Sequence, residues 1–231
     1  MMRILAVDTS TRSCSVAIVD GSELLAEIIS GNGQTHSRHL MAMIHSALEM
    51  AGMNLSMTDG LAFTRGPGSF TGLRIGISTI LGLSTATRKP IVGVSGLDAL
   101  AMQAAAPDMT ICPLIDGRRN EVYCARYRWV NGELVKEAAE QVLSPELAIS
   151  GLNTPALFAG NGAQLYQSLI RDRLGDFARF APNCQNTLRA STIAWISMKR
   201  FETGDVDDIY RFEPMYIRRL DAKIPAPFRP L

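Results

Sequence analysis

The sequence predicts an α/β protein in two halves, each a β-sheet with helices packed against it. Short apolar runs bounded by turn residues alternate with stretches of helical periodicity, and this strand-then-helix order occurs twice along the 231 residues. A chain of this length holds one large domain or two small lobes. We divide it into an N-terminal lobe, 1–106, and a smaller C-terminal lobe, 107–231, that ends in a tail.

In the first half, Ile4–Thr9, Ser13–Val19 and Leu24–Ile29 are apolar runs separated by turn signals at Thr11-Arg12 and Asp20-Gly21, which predicts a three-stranded antiparallel meander. Leu40, Ile44, Ala47, Leu48 and Ala51 recur at helical spacing and predict a helix over Thr35–Ala51. Leu61–Thr64 reads as a strand and Ser69–Ala86 as a helix. Pro90–Val94 is a further strand and Leu97–Ala106 a further helix. In the second half, Ile111–Ile115 and Glu121–Trp129 are strands joined across Asp116–Asn120, and Asn131-Gly132 is a turn signal. Ala156–Ala159 is a strand into Gly160-Asn161-Gly162, Ala163–Leu169 a short helix and Leu188–Phe201 an amphipathic helix. The late prolines predict an extended end to the tail.

The charge is unevenly spread. Net charge is +1, so bulk charge does not point to nucleic acid. Residues 1–105 carry 14 charged side chains and residues 106–231 carry 31, so the first half is short of charge for its length, as a surface covered by a partner would be. Cys14, Cys112, Cys124 and Cys184 are widely spaced without a Cys-x-x-Cys, which reads as reduced thiols in a cytoplasmic protein. No run reaches the ~18–20 apolar residues of a membrane span.

The most informative run is Arg65-Gly66-Pro67-Gly68-Ser69-Phe70-Thr71-Gly72-Leu73-Arg74-Ile75-Gly76. A Gly-Pro-Gly turn feeds a helix in which, from Ser69 to Ala86, Arg74 is the only charge. Ser69 is placed to cap that helix. Three readings stand: a tight turn before a buried helix, a phosphate cradle at a helix N-terminus, or a helix covered on both sides, once by its own lobe and once by a partner. It is not a P-loop, because the Gly-Lys-Ser/Thr ending is missing. The first helix either adds to the third reading or is wedged more deeply into its own lobe. Leu40, Met41, Met43, Ile44, Ala47, Leu48, Met50 and Ala51 cover more than the ~100° stripe that one core needs, and methionine adapts well to interaction faces.

An acidic-Thr-Ser turn after the first strand, followed by this order of elements, resembles the actin–hexokinase–Hsp70 superfamily of two-lobed ATPases. More narrowly, Ala6-Val7-Asp8-Thr9-Ser10, the Gly66–Gly76 run, Ile115-Asp116-Gly117-Arg118-Arg119-Asn120-Glu121-Val122-Tyr123 and Glu213-Pro214-Met215-Tyr216-Ile217-Arg218 resemble the TsaB (YeaZ) family. The resemblance implies the actin-like (ASKHA) fold. It also implies a non-catalytic subunit needed to form N6-threonylcarbamoyladenosine at position 37 of tRNA. Its implied partners are the catalytic threonylcarbamoyltransferase TsaD and the ATPase TsaE, with a homodimer when the partner is absent. tRNA would be met through the complex, and ATP and metal would sit on the partner subunits.

The residues fit that picture better than an autonomous actin-like ATPase, a sugar-kinase-like phosphotransferase or a metalloprotease. Asp8, Thr9 and Ser10 stand where a first phosphate loop would be, without the glycine that lets backbone approach phosphate. Asp116 marks the second loop, made bulky by Arg118, Arg119 and Asn120, and Gly160 begins a remnant adenosine motif. The stretch Val94–Leu100 lacks the His-x-x-x-His pair that the catalytic relative carries for metal. His36, His39 and His45 all fall on or beside the first helix, and there is no Gly-x-Ser-x-Gly elbow. For the partner interface we expect Leu40, Met43 and Ala47 of the first helix and Leu73, Gly76, Ile77 and Ile80 of the second. The basic tail from Ile209 onward is expected either to touch tRNA or a partner, or to be solvated.

Overall fold

The computed structural model describes residues 1–31 and 36–217. The first half forms β1 (Arg3–Asp8), β2 (Cys14–Asp20), β3 (Glu23–Ser30), α1 (His36–Met50), β4 (Gly60–Gly66), α2 (Phe70–Thr87), β5 (Ile91–Ser95) and α3 (Gly96–Ala104). The second forms β6 (Thr110–Arg118), β7 (Glu121–Val130), β8 (Glu133–Leu143), α4 (Pro145–Ala148), β9 (Ala156–Ala159), α5 (Asn161–Leu165), α6 (Gln167–Leu174), β10 (Ala178–Phe180) and α7 (Ala190–Glu202). The expected first-helix start at Thr35 lies outside the described residues.

The two sheets share one topology. The first runs β3-β2-β1-β4-β5 and the second β8-β7-β6-β9-β10. In each, an antiparallel meander of three strands is joined through its first strand to two parallel strands. The duplication is therefore complete, and β6 is the counterpart of β1.

Strand alternation sorts the side chains into three cores. Leu5, Val7, Val16, Ile18, Leu61 and Phe63 face α1 and α2 on one side of the first sheet. Ile4, Ala6, Ala17, Val19, Ala62 and Val92 face the other way, into a central core with α3, α7 and one face of the second sheet, including Ile111, Ile115 and Tyr127. Cys112, Leu114, Val122, Phe158 and Ile170 build the third core, on the outer side of the second sheet. Helix α7 packs on β1, β2, β4 and β5 of the first sheet. Its N-terminus is held there by Glu27, whose carboxylate accepts from Ser191 N and Ser191 Oγ and pairs with Arg189. The packing of α7 thus crosses the division drawn at residue 106.

Four elements differ from the sequence reading, one of them the single-turn helix α4, where no helix was expected. β8 follows the Asn131-Gly132 turn, where no strand was expected. Much of this strand is solvent-exposed, and its Lys136, Glu137 and Glu140 give it no apolar alternation. β10 has three residues, too few to show a pattern. The helix expected at Ala163–Leu169 is two short helices, α5 and α6, broken at Tyr166.

Candidate functional site

The first loop candidate is packed shut by the glycines of α2. Ser69 caps the helix by accepting from Gly72 N at 3.3 Å. The turn after β1 lies directly on this helix start. Ser69 N donates to Ser10 O at 2.7 Å, and Thr9 Oγ1 donates to Gly72 O at 2.7 Å. A Cβ on Gly68 would stand 2.3 Å from Ser10 O, one on Gly72 2.1 Å from Thr9 O, and one on Gly76 2.3 Å from Thr9 Oγ1. The four-residue glycine spacing therefore serves contact between α2 and the Asp8-Thr9-Ser10 turn within one chain.

Asp8 is fully buried at the end of β1. Its Oδ1 accepts from Ser10 N at 3.0 Å and Ser10 Oγ at 2.6 Å, while its Oδ2 has no hydrogen-bond partner. Burial pushes the Asp8 carboxyl above its ordinary range, with Ser10, Thr64 and His36 opposing. Thr64 Oγ1 acts on Asp8 through proximity but is itself buried without a partner in hydrogen-bond geometry. His36 Nε2 lies 2.9 Å from Thr11 O, so it ties α1 to the same turn.

The second set gathers around β6. Arg118 pairs with Glu121 across a tight hairpin. Arg119 and Asn120 both have positive φ, as a two-residue type I′ turn requires, and Arg118 is left-handed as well. Asp116 Oδ1 accepts from Arg118 N at 2.8 Å, and Asp116 N donates to Asn161 Oδ1 at 3.0 Å. Gly160 has φ +96°, donates its N–H to Asn186 Oδ1 at 2.8 Å, and leaves 2.5 Å between a would-be Cβ and Leu114 O. Asp116 and Gly160-Asn161 thus stand together, each engaged with the chain around it.

The expected interface residues need correcting. Leu40, Met43, Ala47, Leu73, Ile77 and Ile80 are at most 8% exposed and belong to the core between the first sheet and its helices. Gly76 faces Thr9. These seven hold the monomer together and are closed to a partner. The outward faces of the same helices carry Met41, Ala42, His45 and Met50 on α1, and Thr71, Arg74, Ser78, Gly82 and Thr85 on α2. Gly82 has open space where a side chain would be. Apart from Arg74, α2 is uncharged on these outward positions as well as on the buried ones.

Sequence reasoning missed a polar cluster beside α3. Lys136 Nζ bridges Asp98 Oδ1 at 2.8 Å and Glu140 Oε1 at 2.7 Å. Tyr127 OH donates to Asp98 and Ser95 Oγ to Glu140, both at 2.7 Å. Ser95 also caps α3. The only signal was the lone acidic residue in the Val94–Leu100 stretch, since its partners come from strands that are distant in sequence. Three of the cysteines are buried, and burial pushes the Cys14 and Cys112 thiols up to about 12, so these are core fillers rather than nucleophiles. No helix among the described residues is long and apolar enough to cross a membrane.

Comparison with known proteins agrees with this architecture. Residues 23–226 match the family model described as TsaD, tRNA N6-adenosine threonylcarbamoyltransferase. The tRNA threonylcarbamoyladenosine biosynthesis protein TsaB of Bacillus subtilis is 30% identical over 225 residues, covering 96% of each chain. The solved structure of YeaZ from Pseudomonas aeruginosa superimposes with a TM-score of 0.79 at 31% identity, over 94% of this chain and 100% of that one. A 2-hydroxyglutaryl-CoA dehydratase component from Acidaminococcus fermentans, at 14% identity and TM-score 0.53, shares the fold alone. The two matched sheets with flanking helices are the actin-like ATPase fold, and the chain belongs to the TsaB (YeaZ) family of tRNA threonylcarbamoyladenosine biosynthesis proteins.

Proposed function

We propose that this chain is a non-catalytic scaffold subunit for N6-threonylcarbamoyladenosine formation at position 37 of tRNA. It binds the threonylcarbamoyltransferase TsaD through the outward faces of α1 and α2, with the ATPase TsaE as a further partner. The observation that carries this reading is the use of the first loop's polar groups. The donors where that loop meets α2 are spent, Thr9 Oγ1 on Gly72 O and Ser69 N on Ser10 O, at 2.7 Å each, and Gly68, Gly72 and Gly76 leave no gap above them. A phosphate cradle needs such groups free to meet the ligand. On this reading the subunit alone takes up neither nucleotide nor metal, and ATP and metal are held by its partners in the cytoplasm.

The outward face of α1 and α2 suits association. Met41 and Met50 are more than half exposed, and Ser78 and Gly82 let another helix come close. A partner of the same fold offers the same pair of helices, so two copies of this chain pair through this face when the transferase is absent. Reconstituted tRNA modification with this chain left out tests the proposal: modification is lost without it and restored on adding it. Full modification in its absence refutes the scaffold role. ATP turnover by the purified chain, abolished by Asp8→Ala, refutes the non-catalytic one.

A further inference from the structure

The N-terminal end of α2, at the edge of the proposed partner face, carries an exposed aromatic–arginine stack. Phe70 and Tyr216 are each more than a third exposed, with ring centroids 5.3 Å apart and planes tilted by 33°. The Arg74 guanidinium lies 3.8 Å over the Phe70 ring, and its Nε is 3.4 Å from Tyr216 OH. The chain is brought here by its last described segment, which runs along the edge strand β5. Asp207 N donates to Ile91 O at 2.9 Å, Phe212 meets Phe63 at 4.9 Å between centroids, and Met215 N donates to Arg65 O at 2.8 Å.

The charge around this stack is unopposed. Among the described residues Arg12, Arg65 and Arg74 make no ion pair, and Arg65 Nε is buried with no hydrogen-bond partner. Arg12 lies two residues beyond Ser10, whose carbonyl accepts from Ser69 N beside Phe70. The arriving segment carries Asp207, Asp208 and Glu213, of which Asp207 pairs with Arg200 and Asp208 with Arg211. The remaining chain, 218–231, starts two residues past Tyr216 and has four basic residues against one acidic. Exposed rings with an arginine stacked on them that no carboxylate pairs suit a polyanion with stackable bases better than a protein surface.

We propose that Phe70, Arg74 and Tyr216 form a docking surface for single-stranded RNA, the anticodon loop of the substrate tRNA. This rests on the reading of the chain as a subunit of tRNA modification and adds a direct RNA contact to it. The ring of Tyr216 stacks an unpaired base, and Arg74 meets a neighbouring phosphate.

The test is fluorescence anisotropy of the full chain, alone and with the transferase, against a labelled anticodon stem–loop RNA. The wild-type chain binds it better than a blunt duplex of equal length. Tyr216→Ala weakens binding about tenfold. Arg74→Glu weakens it further and flattens the salt dependence by about 0.7 per lost phosphate contact. Both sites are surface positions, so thermal unfolding stays as in the wild type, and Tyr216→Ala, which lies on neither α1 nor α2, also keeps its association with the transferase. Absence of stem–loop binding by the wild-type chain overturns the proposal. So does RNA affinity unchanged in both variants, or loss of the transferase in place of the RNA, which would make this surface a protein contact. Failure of the wild-type chain to bind the transferase while it still binds the stem–loop would refute the subunit reading alone.

Discussion

Gly76 of α2 lies so close to Thr9 that a Cβ at residue 76 would stand 2.3 Å from the Thr9 hydroxyl oxygen. That hydroxyl already donates to Gly72 O at 2.7 Å. A methyl group at 76 must either push the helix off the β1–β2 turn or rotate Thr9 and break this bond. Gly76→Ala is expected to destabilise the monomer by about 1–3 kcal/mol. Thr9→Ala makes room at the cost of one hydrogen bond, so the double variant should lose less than the sum of the single losses. Denaturant unfolding of the four proteins in the cycle checks this. Strict additivity would mean that the two residues do not share the contact.

Asp8 should lower stability at neutral pH. Its pKa is raised in the folded state, chiefly by burial, so between the ordinary value of 3.8 and the folded value the native state binds more protons than the unfolded one. Stability contributed by this group therefore falls as pH rises through that window and stays low above it. In Asp8→Asn the amide oxygen keeps the bonds from Ser10. The amide N–H₂ also brings a donor toward Thr64 Oγ1, which is now orphaned. The variant should be more stable than wild type at neutral pH, with the difference shrinking toward acid. Melting temperatures across the acid-to-neutral range test it, and a variant less stable at every pH would contradict it.

The sequence showed the fold most clearly where residues bury on both sides. Ile4–Thr9, Leu61–Thr64 and Pro90–Val94 read as strands because both faces of the first sheet are covered, so the runs are largely apolar. β8 was invisible for the opposite reason: it is largely solvated, and its polar residues reach over to α3. The site was legible in kind but not in orientation. α2 is apolar or small all round, so the wheel through Leu73, Ile77 and Ile80 could not tell the side facing its own sheet from the side facing out. Arg74 and Ser78 mark the outer side only once the sheet is in place. Glycine spacing had the same ambiguity, since it signals close approach without naming what approaches.

The Lys136 ammonium holds two carboxylates that otherwise repel. The Glu140 side chain is 7% exposed and its Oε2 has no partner, whereas Lys136 and Asp98 are about one-third exposed. Burial lowers the pKa of Lys136, but its hydrogen bonds to Asp98 and Glu140 outweigh this and raise it overall. Lys136→Met should destabilise the protein by about 1–3 kcal/mol, because it leaves Glu140 buried beside Asp98 without a cation. Glu140→Gln in the same chain removes one of the stranded charges and should recover part of the loss. Chemical denaturation of the single and double variants decides this. A double variant as unstable as the sum of both singles would show that the ammonium does not couple to Glu140.

Residues on opposite sides of α1 and α2 should separate folding from association. Ala47 is fully buried against the first sheet. Ala47→Glu puts an unpaired carboxylate into that core and should cost about 3–5 kcal/mol, enough to threaten the fold itself. Ala42 and Gly82 face outward, and Gly82 has open space around it. Gly82→Leu should leave the monomer as stable as wild type or about 0.5–1 kcal/mol more so, because a good helix former replaces glycine in a helix interior. The added side chain nevertheless keeps a facing helix from coming close, and Ala42→Glu adds a charge that a partner would have to desolvate. Both outward variants should therefore fold normally and bind the transferase, or a second copy of this chain, at least tenfold more weakly. Circular dichroism melts give the first quantity and titration calorimetry the second. If Gly82→Leu and Ala42→Glu fold and associate as the wild type does, the contact lies on another face, and the outward stripe of α2 is uncharged for some other reason.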